Sequence, residues 1–350
     1  MNIRQLLELT IQRQASDLHL SVGFPPALRV QGEIIAIAGE DPCSPQQIES
    51  FIQLLLSDIQ KQSYQQNFEL DFSFDFESKA RFRANIYRQK GYSAIALRLI
   101  PFKIPLLEEL GFPPVVSKLT ELKQGFILVT GPTGHGKTTT LASFINKINQ
   151  ERATHIITIE DPIEYVYPPG KSLIEQREMY KDTKSWGNAL RAALREDPDV
   201  VLVGEMRDLE TISSAMTIAE TGHLVFATLH TNSASQAVDR IIDVFPEVAQ
   251  PQVRLQLAST LEAIISLRLI PTIEPGRVLA YELLFATPAI RNLIREAKSY
   301  LIDSTIETSA ELGMQTLERS LANLVRQGDI SEEVALRFAL RPGLLAKLLK

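Results

Sequence analysis

The chain holds one cysteine, Cys43, in 350 residues. That excludes an internal disulfide and any site built on several thiolates, and it suits a reducing compartment. Positive charge is not in excess either. The 36 basic residues against 42 acidic ones leave a net charge of -6, so nothing draws the chain as a whole to nucleic acid or anionic lipid. Aromatic residues make up 7% and are not interleaved with basic ones in any tract, which removes the usual stacking surface for single-stranded nucleic acid. No stretch approaches the roughly 18 apolar residues of a transmembrane helix, and Met1-Asn2-Ile3-Arg4-Gln5 lacks the apolar core of a secretory signal. A cytoplasmic protein is the expectation. No internal repeat or low-complexity tract stands out.

What is present is a core-forming composition, 45% hydrophobic, over a length that suits two or three domains. The stretch Gly131-Pro132-Thr133-Gly134-His135-Gly136-Lys137-Thr138, followed by Thr139, has the G-x-x-x-x-G-K-T spacing of a phosphate-binding loop. Phe126-Ile127-Leu128-Val129 before it reads as a buried parallel strand, and Leu141, Phe144, Ile145 and Ile148 after it recur at helical spacing. Strand, loop and helix in that order bring backbone N–H groups and a helix N-terminus together on phosphate. The pattern predicts an NTP site, with ATP expected. Lys137 would reach the β- and γ-phosphates, Thr138 would ligate Mg²⁺, and His135 would be a loop side chain rather than a base.

Ahead of the loop, residues 1–100 predict an α+β domain. Leu6, Leu7 and Ile11 form one side of a first helix, Leu28-Arg29-Val30 and Ile34-Ile35-Ala36-Ile37 flank a turn at Gln31-Gly32-Glu33, and a second helix is expected from Pro45 to about Gln60. Leu70, Phe72, Phe74 and Phe76 alternate with polar residues, the mark of a half-buried antiparallel strand. In the next strand Ala80, Phe82, Ala84 and Ile86 take the core face, which sends Arg81, Arg83 and Asn85 to the solvent face. Arg98 lies in a third strand, about Ser93 to Leu99. These arginines are either a solvated face or a functional set. Pro101, Pro105, Pro113 and Pro114 mark residues 101–116 as a linker. From 117 to 350, apolar strands alternate with helices as in a parallel sheet. Strands are expected at 125–129, 155–159, 199–203 and 223–229, with two more around 264–270 and 278–284. Beyond Pro288 helices take over, one marked by Ile290, Leu293, Ile294 and Ala297, another by Leu317, Leu321, Leu324 and Val325.

The carboxyl ends of parallel strands line the ligand crevice of such a sheet. One expected strand delivers Glu160-Asp161 and then Glu164, another delivers Gly204-Glu205, and a third is bracketed by His223 and His230. Nucleotide hydrolysis requires a carboxylate acting on water and ligands for Mg²⁺. Glu205, directly after four apolar strand residues, is expected to act on water. Mg²⁺ is expected on Thr138 and, through water, on Glu205, Glu164 or the Glu160-Asp161 pair. His223 and His230 read either as packed, hydrogen-bonded imidazoles or as a pair of which one senses the γ-phosphate.

Together these segments resemble a known family, the secretion-superfamily ATPases, and within it the branch that retracts type IV pili. The resemblance covers essentially the whole chain. It is carried by Ala15-Ser16-Asp17-Leu18-His19-Leu20, by the phosphate loop, and by Thr158-Ile159-Glu160-Asp161-Pro162-Ile163-Glu164-Tyr165, which is similar to the family's Asp box. Leu194-Arg195-Glu196-Asp197-Pro198-Asp199 leads into Gly204-Glu205-Met206-Arg207-Asp208, similar to its atypical Walker B box. Thr221-Gly222-His223 through Thr228-Leu229-His230 is similar to its His box, and Ala289-Ile290-Arg291-Asn292-Leu293-Ile294-Arg295-Glu296 to the signature of the retraction branch.

The resemblance implies an α/β fold: a PAS-like N-terminal α+β domain, then a RecA-like P-loop ATPase domain with a helical C-terminal region. It implies a homo-hexamer that hydrolyses ATP with Mg²⁺ to power pilus retraction and twitching motility. The ring would be cytoplasmic, working at the inner membrane with a platform protein and the pilus machinery, with no nucleic acid as partner. By this resemblance Glu205 is the catalytic glutamate, Glu164, His223 and His230 support it, and Arg81, Arg83 and Arg98 come near nucleotide. His135 departs from the small hydroxyl residue often found at that loop position. Extension ATPases, with an extra N-terminal domain and a four-cysteine zinc site, fit a one-cysteine chain poorly. Another ATPase of the superfamily, or a RecA-like nucleic-acid motor, is the competing expectation. Residues 289–296 are expected to couple hydrolysis to movement, with Arg291 and Arg295 on a polar helix face that an acidic partner or another domain would meet.

Overall fold

The computed structural model describes every residue except Gln31, Ser78, Pro101 and Phe102, so the expected turn at 31–33 and the start of the linker lie partly outside the described residues. The chain divides into two compact units, Met1–Lys103 with Pro162–Val166, and Ile104–Asp161 with Tyr167–Lys350.

The smaller unit opens with α1 (Ile3–Gln12). There Asn2 and Gln5 exchange side-chain and backbone hydrogen bonds in a capping box, and Ile3, Leu6 and Leu7 are buried. Strands β1 (Asp17–Ser21), β2 (Ala27–Val30) and β3 (Glu33–Ala36) precede α2 (Pro45–Leu55) and α3 (Asp58–Asn67). The expected single helix over 45–60 is therefore two. Leu56 is extended and the Ser57 side chain accepts the Gln60 N–H, which starts a new helix. Strands β4 (Glu69–Phe76), β5 (Ala80–Gln89) and β6 (Tyr92–Ile100) complete an antiparallel sheet in the order β3-β2-β1-β6-β5-β4. Ile48, Phe51 and Ile52 of α2 share its core with Leu18, Phe82, Ile86 and Leu97.

The larger unit does not begin with an open linker. Leu107–Leu110 and Pro114–Glu121 form 3₁₀ turns, and Leu107, Val116 and Leu119 join the core, because proline is at home in a first helical turn and the apolar residues between the prolines face inward. The sheet strands are β7 (Gly125–Thr130), β8 (His155–Glu160), β9 (Leu173–Glu178), β10 (Val200–Val203), β11 (Leu224–Leu229), β12 (Leu261–Pro271) and β13 (Arg277–Phe285). Their order is β13-β12-β7-β11-β10-β8-β9, parallel except for β13 against β12. Alternation persists inside the fully buried β7. Ile127 and Val129 point to the face covered by α4 (Lys137–Glu151), with its Leu141, Phe144, Ile145 and Ile148. Phe126 and Leu128 point to the opposite face, covered by α5 (Trp186–Ala193), α6 (Leu209–Glu220), α7 (Ala234–Asp243) and α8 (Gln250–Thr260). Helices on both faces are what a parallel sheet requires. Strand β9 was not expected: at the sheet edge its residues Leu-Ile-Glu-Gln-Arg-Glu are mostly polar and part exposed.

After the sheet come α9 (Pro288–Arg295), α10 (Ile302–Thr308), α11 (Leu317–Gln327), α12 (Glu332–Phe338) and α13 (Pro342–Leu349). Ala297, expected on the face of α9, instead lies past its end, exposed and with a φ of 59°. Leu317, Leu321, Ile330 and Leu345 pack on Ile270 and Ala280 of the β12–β13 hairpin. Among the described residues no helix is long and apolar enough to cross a membrane.

Candidate active site

The chain leaves the sheet after Thr130, at Gly131, where φ is 143° and an added Cβ would stand 2.7 Å from the Leu267 carbonyl oxygen of β12. Only glycine lets the loop pass that close to the neighbouring strand. Gly136 then precedes α4 in the left-handed region and has no side chain to cap it. The first N–H groups of α4 and the positive end of its dipole therefore face the loop, the usual seat of a phosphate. Lys137 is buried; its Nζ donates to the carbonyls of Gly131 (2.8 Å) and Pro132 (3.0 Å) and stands 3.5 Å from His230 Nδ1. Thr138 and Thr139 are half-buried in the first turn, and Thr133 and Gly134 form the exposed tip.

Glu205 reaches the same place from β10. The Gly204 N–H donates to Ile159 (2.8 Å) and the Met206 N–H to Thr228 (3.1 Å), so the backbone on either side of Glu205 is tied to β8 and β11. Glu205 Oε1 is 3.0 Å from His230 Nε2, and Oε2 accepts from Arg207 at 2.8 Å. Burial pushes the Glu205 carboxyl up. The Arg207 hydrogen bond and charge, then His230 and Lys137, outweigh that and hold it below its usual value. His230 faces both groups, its Nε2 toward Glu205 and its Nδ1 toward the Lys137 ammonium. An ionised carboxylate, an imidazole and an ammonium thus stand in one line at the carboxyl ends of β10, β11 and β7.

His223 precedes β11, whose Leu224 pairs with Gly125 at the start of β7 while Leu229 pairs with Thr130 at its end. It lies roughly 20 Å of strand away from His230. Its Nδ1 is 2.9 Å from the Ile218 carbonyl, so it is a packed imidazole and not a support for Glu205 within this chain. Glu164 belongs to the segment grouped with the smaller unit. Glu160 is buried, accepting from Thr158 (2.7 Å) and Gln176 (3.1 Å), while Asp161 is exposed.

In the smaller unit Arg81 is not on a solvent face. Only 8% of it is exposed, because Asp75 and Ser73 of β4 take its guanidinium at 2.9 and 2.7 Å. Arg83 is half-buried and pairs across the sheet with Arg98, which is exposed and bonded to Asp17 at 2.9 Å. Arg291 has its acidic partner inside the larger unit. It donates to the Ala258 and Ser259 carbonyls (2.8 and 3.0 Å) and to Glu262 (2.8 Å), closing the end of α8, while Arg295 is exposed. Two residues to which motif reading gave no role shape the site: Arg207, two positions beyond Glu205, and Arg268 of β12, buried and donating to Asn232 Oδ1 at 2.7 Å.

The loop, the buried lysine and the carboxylate at the next strand ends define an α/β protein of the phosphate-loop class. Residues 2–275 match the family described as type II/IV secretion system protein, and the chain belongs to that family. It is 48% identical over 335 residues to the type IV pilus retractation ATPase PilT of Pseudomonas aeruginosa, covering 96% of this chain and 97% of that protein. It is 50% identical over 315 residues to a twitching motility protein of Neisseria gonorrhoeae, covering 90% and 84%. A crystal structure of the pilus retraction motor PilT with bound ADP matches with a TM-score of 0.92 at 48% identity over 99% of each chain.

Proposed function

We propose that this chain is an ATP-hydrolysing motor that powers type IV pilus retraction. The observation that carries the chemistry is the line from Lys137 through His230 to Glu205 beside the phosphate loop. The relatives named for pilus retraction carry the biological role. The uncapped α4 terminus and the glycine-lined loop fit a triphosphate, and Thr138 with Glu205 would hold Mg²⁺. When bound, that ion would neutralise charge on the phosphate oxygens. Lys137 binds the β- and γ-phosphates. Glu205 orients the attacking water and takes its proton, and His230 Nε2 holds the carboxylate in place for that transfer.

On this reading the smaller unit is a PAS-like domain ending near residue 100. A RecA-like domain runs from about 117, with its helical region from about 288. Six copies would form a ring on the cytoplasmic side of the inner membrane, against a platform protein of the pilus machine. Arg83 and Arg98 remain the candidates for completing a neighbour's site, whereas Arg81 is committed to Asp75. ATPase rate per subunit should then fall on dilution through ring dissociation; a flat rate would mean that no neighbour is needed.

Nucleotide titration and steady-state assays test the site. Lys137→Ala should lose nucleotide binding, and Glu205→Gln should bind but turn over 10²- to 10⁴-fold, roughly, more slowly. Near-normal turnover by Glu205→Gln would take that residue out of the reaction. In cells, Lys137→Ala should leave many surface pili and no surface motility, whereas an absence of pili would point to extension.

A further inference from the structure

Strand β12 outruns β7. Their pairing ends at Ser266 opposite Thr130, yet β12 continues to Pro271, and over those residues its free edge runs beside the phosphate loop instead of a strand. At Leu267 the loop passes so close that residue 131 has no room for a Cβ. Two residues on, where a continuing β7 would offer a carbonyl, the Leu269 N–H donates instead to Nδ1 of His135 at 2.9 Å. Between them, Arg268 donates to the Leu267 carbonyl (2.9 Å) and to Asn232 Oδ1 (2.7 Å), two residues beyond His230. Three consecutive residues of β12 therefore brace both the phosphate loop and the segment that carries His230.

We propose that His135 is a positioning residue for the nucleotide: its Nδ1 stands in for a missing strand carbonyl and pins the phosphate loop to β12 in its binding conformation. The proposal rests on the phosphate-loop reading of the site. An imidazole can accept at Nδ1 only when that nitrogen is unprotonated. Burial, and then the charges of Arg268, Lys137 and Arg277 from β12, α4 and β13, hold the ring below its usual value and keep it neutral. A serine hydroxyl is shorter and would not span the same gap from the same backbone. An asparagine would, since its Oδ1 sits about where the imidazole Nδ1 does.

His135→Asn and His135→Leu separate the acceptor from the bulk. Leaving a part-buried amide without its acceptor should weaken ADP and ATP binding about tenfold in His135→Leu. The KM for ATP should rise in step while kcat stays within about twofold. His135→Asn should restore binding to within about twofold, and amide exchange at Leu269 should be slow in the parent and His135→Asn proteins and fast in His135→Leu. Unchanged nucleotide affinity in His135→Leu would overturn the proposal, as would equal losses in both variants. Should the parent protein itself fail to bind nucleotide, the reading of the loop falls and takes the proposal with it, and slow exchange at Leu269 would then show the tie to be structural only.

Discussion

His230 is the residue on which the site's geometry turns, because it touches both the cation of the phosphate loop and the carboxylate of the neighbouring strand end. Removing it leaves Glu205 hydrogen-bonded to Arg207, whose guanidinium is largely exposed and holds the carboxylate weakly. Loss of a hydrogen bond to a charged group is worth about 1.5–3 kcal/mol, so His230→Ala should lower kcat by about 10- to 100-fold. His223→Ala should leave kcat close to the parent value, since the His223 ring Nδ1 meets Thr221 and the Ile218 carbonyl of its own turn. Steady-state ATPase assays on the two variants check both statements, and an equal loss in both would mean that His223 acts from another subunit. Bracketing one strand with two histidines made them look like a pair in the sequence. A strand's ends lie at opposite ends of its sheet, so two residues that flank it do not meet. Arg81 teaches a related lesson: alternation sets the face a side chain takes, while its exposure depends on cross-strand partners such as Asp75, which alternation does not reveal. Lys137 and Glu205 were legible because their backbone positions are dictated locally, by the loop spacing and by a strand end.

Among the elements, α9 carries the segment similar to the retraction signature, and one of its faces is spent on packing. Ile290 and Ile294 are fully buried, and Arg291 satisfies the last carbonyls of α8 together with Glu262, just where α8 runs into β12. A helix end with its carbonyls unpaired is costly, so Arg291→Ala should destabilise the larger unit by about 1–3 kcal/mol. Arg295→Ala, at an exposed position, should stay within about 0.5 kcal/mol. Thermal or urea denaturation decides between them. A stable Arg291→Ala protein that hydrolyses ATP but fails to drive movement in cells would restore the coupling role expected from the sequence. The break between α2 and α3 was readable after all: Ser57-Asp58-Ile59-Gln60 is a capping box, with Gln60 returning its side chain to the Ser57 N–H at 3.0 Å. Strand β9 had no such signal, because an edge strand needs neither apolar continuity nor strict alternation.

For the whole molecule, each unit has its own core, so unfolding need not be a single transition, and the pH response of the larger one should be followed separately. That response is set in part by Glu282 of β13, which is 2% exposed and accepts the Ala234 N–H at the start of α7 at 2.7 Å. Around it lie Asp303 of α10, Glu318 of α11 and the guanidinium of Arg341, which is bonded to Glu318 at 2.9 Å and is 3.4 Å from Asp303, while the buried Arg268 of β12 also feels its charge. Burial is the largest influence and pushes the Glu282 carboxyl up to about 7; the Ala234 amide and Arg341 pull it down, and Asp303 and Glu318 push it further up. A carboxyl whose folded value lies above its unfolded value binds its proton more tightly when folded. Its contribution to stability is therefore present in full below about pH 4.5 and is lost as pH rises to about 7, beyond which it changes no further. A shift of that size corresponds to about 3 kcal/mol. Glu282→Gln keeps an oxygen for the Ala234 N–H and removes the titration. Across pH 5 to 8 the parent should lose stability relative to Glu282→Gln by an amount approaching about 3 kcal/mol, with most of the change complete by neutrality. Denaturant melts of the two proteins at each pH measure the difference directly, and parallel stability curves would mean that Glu282 holds the same charge folded and unfolded.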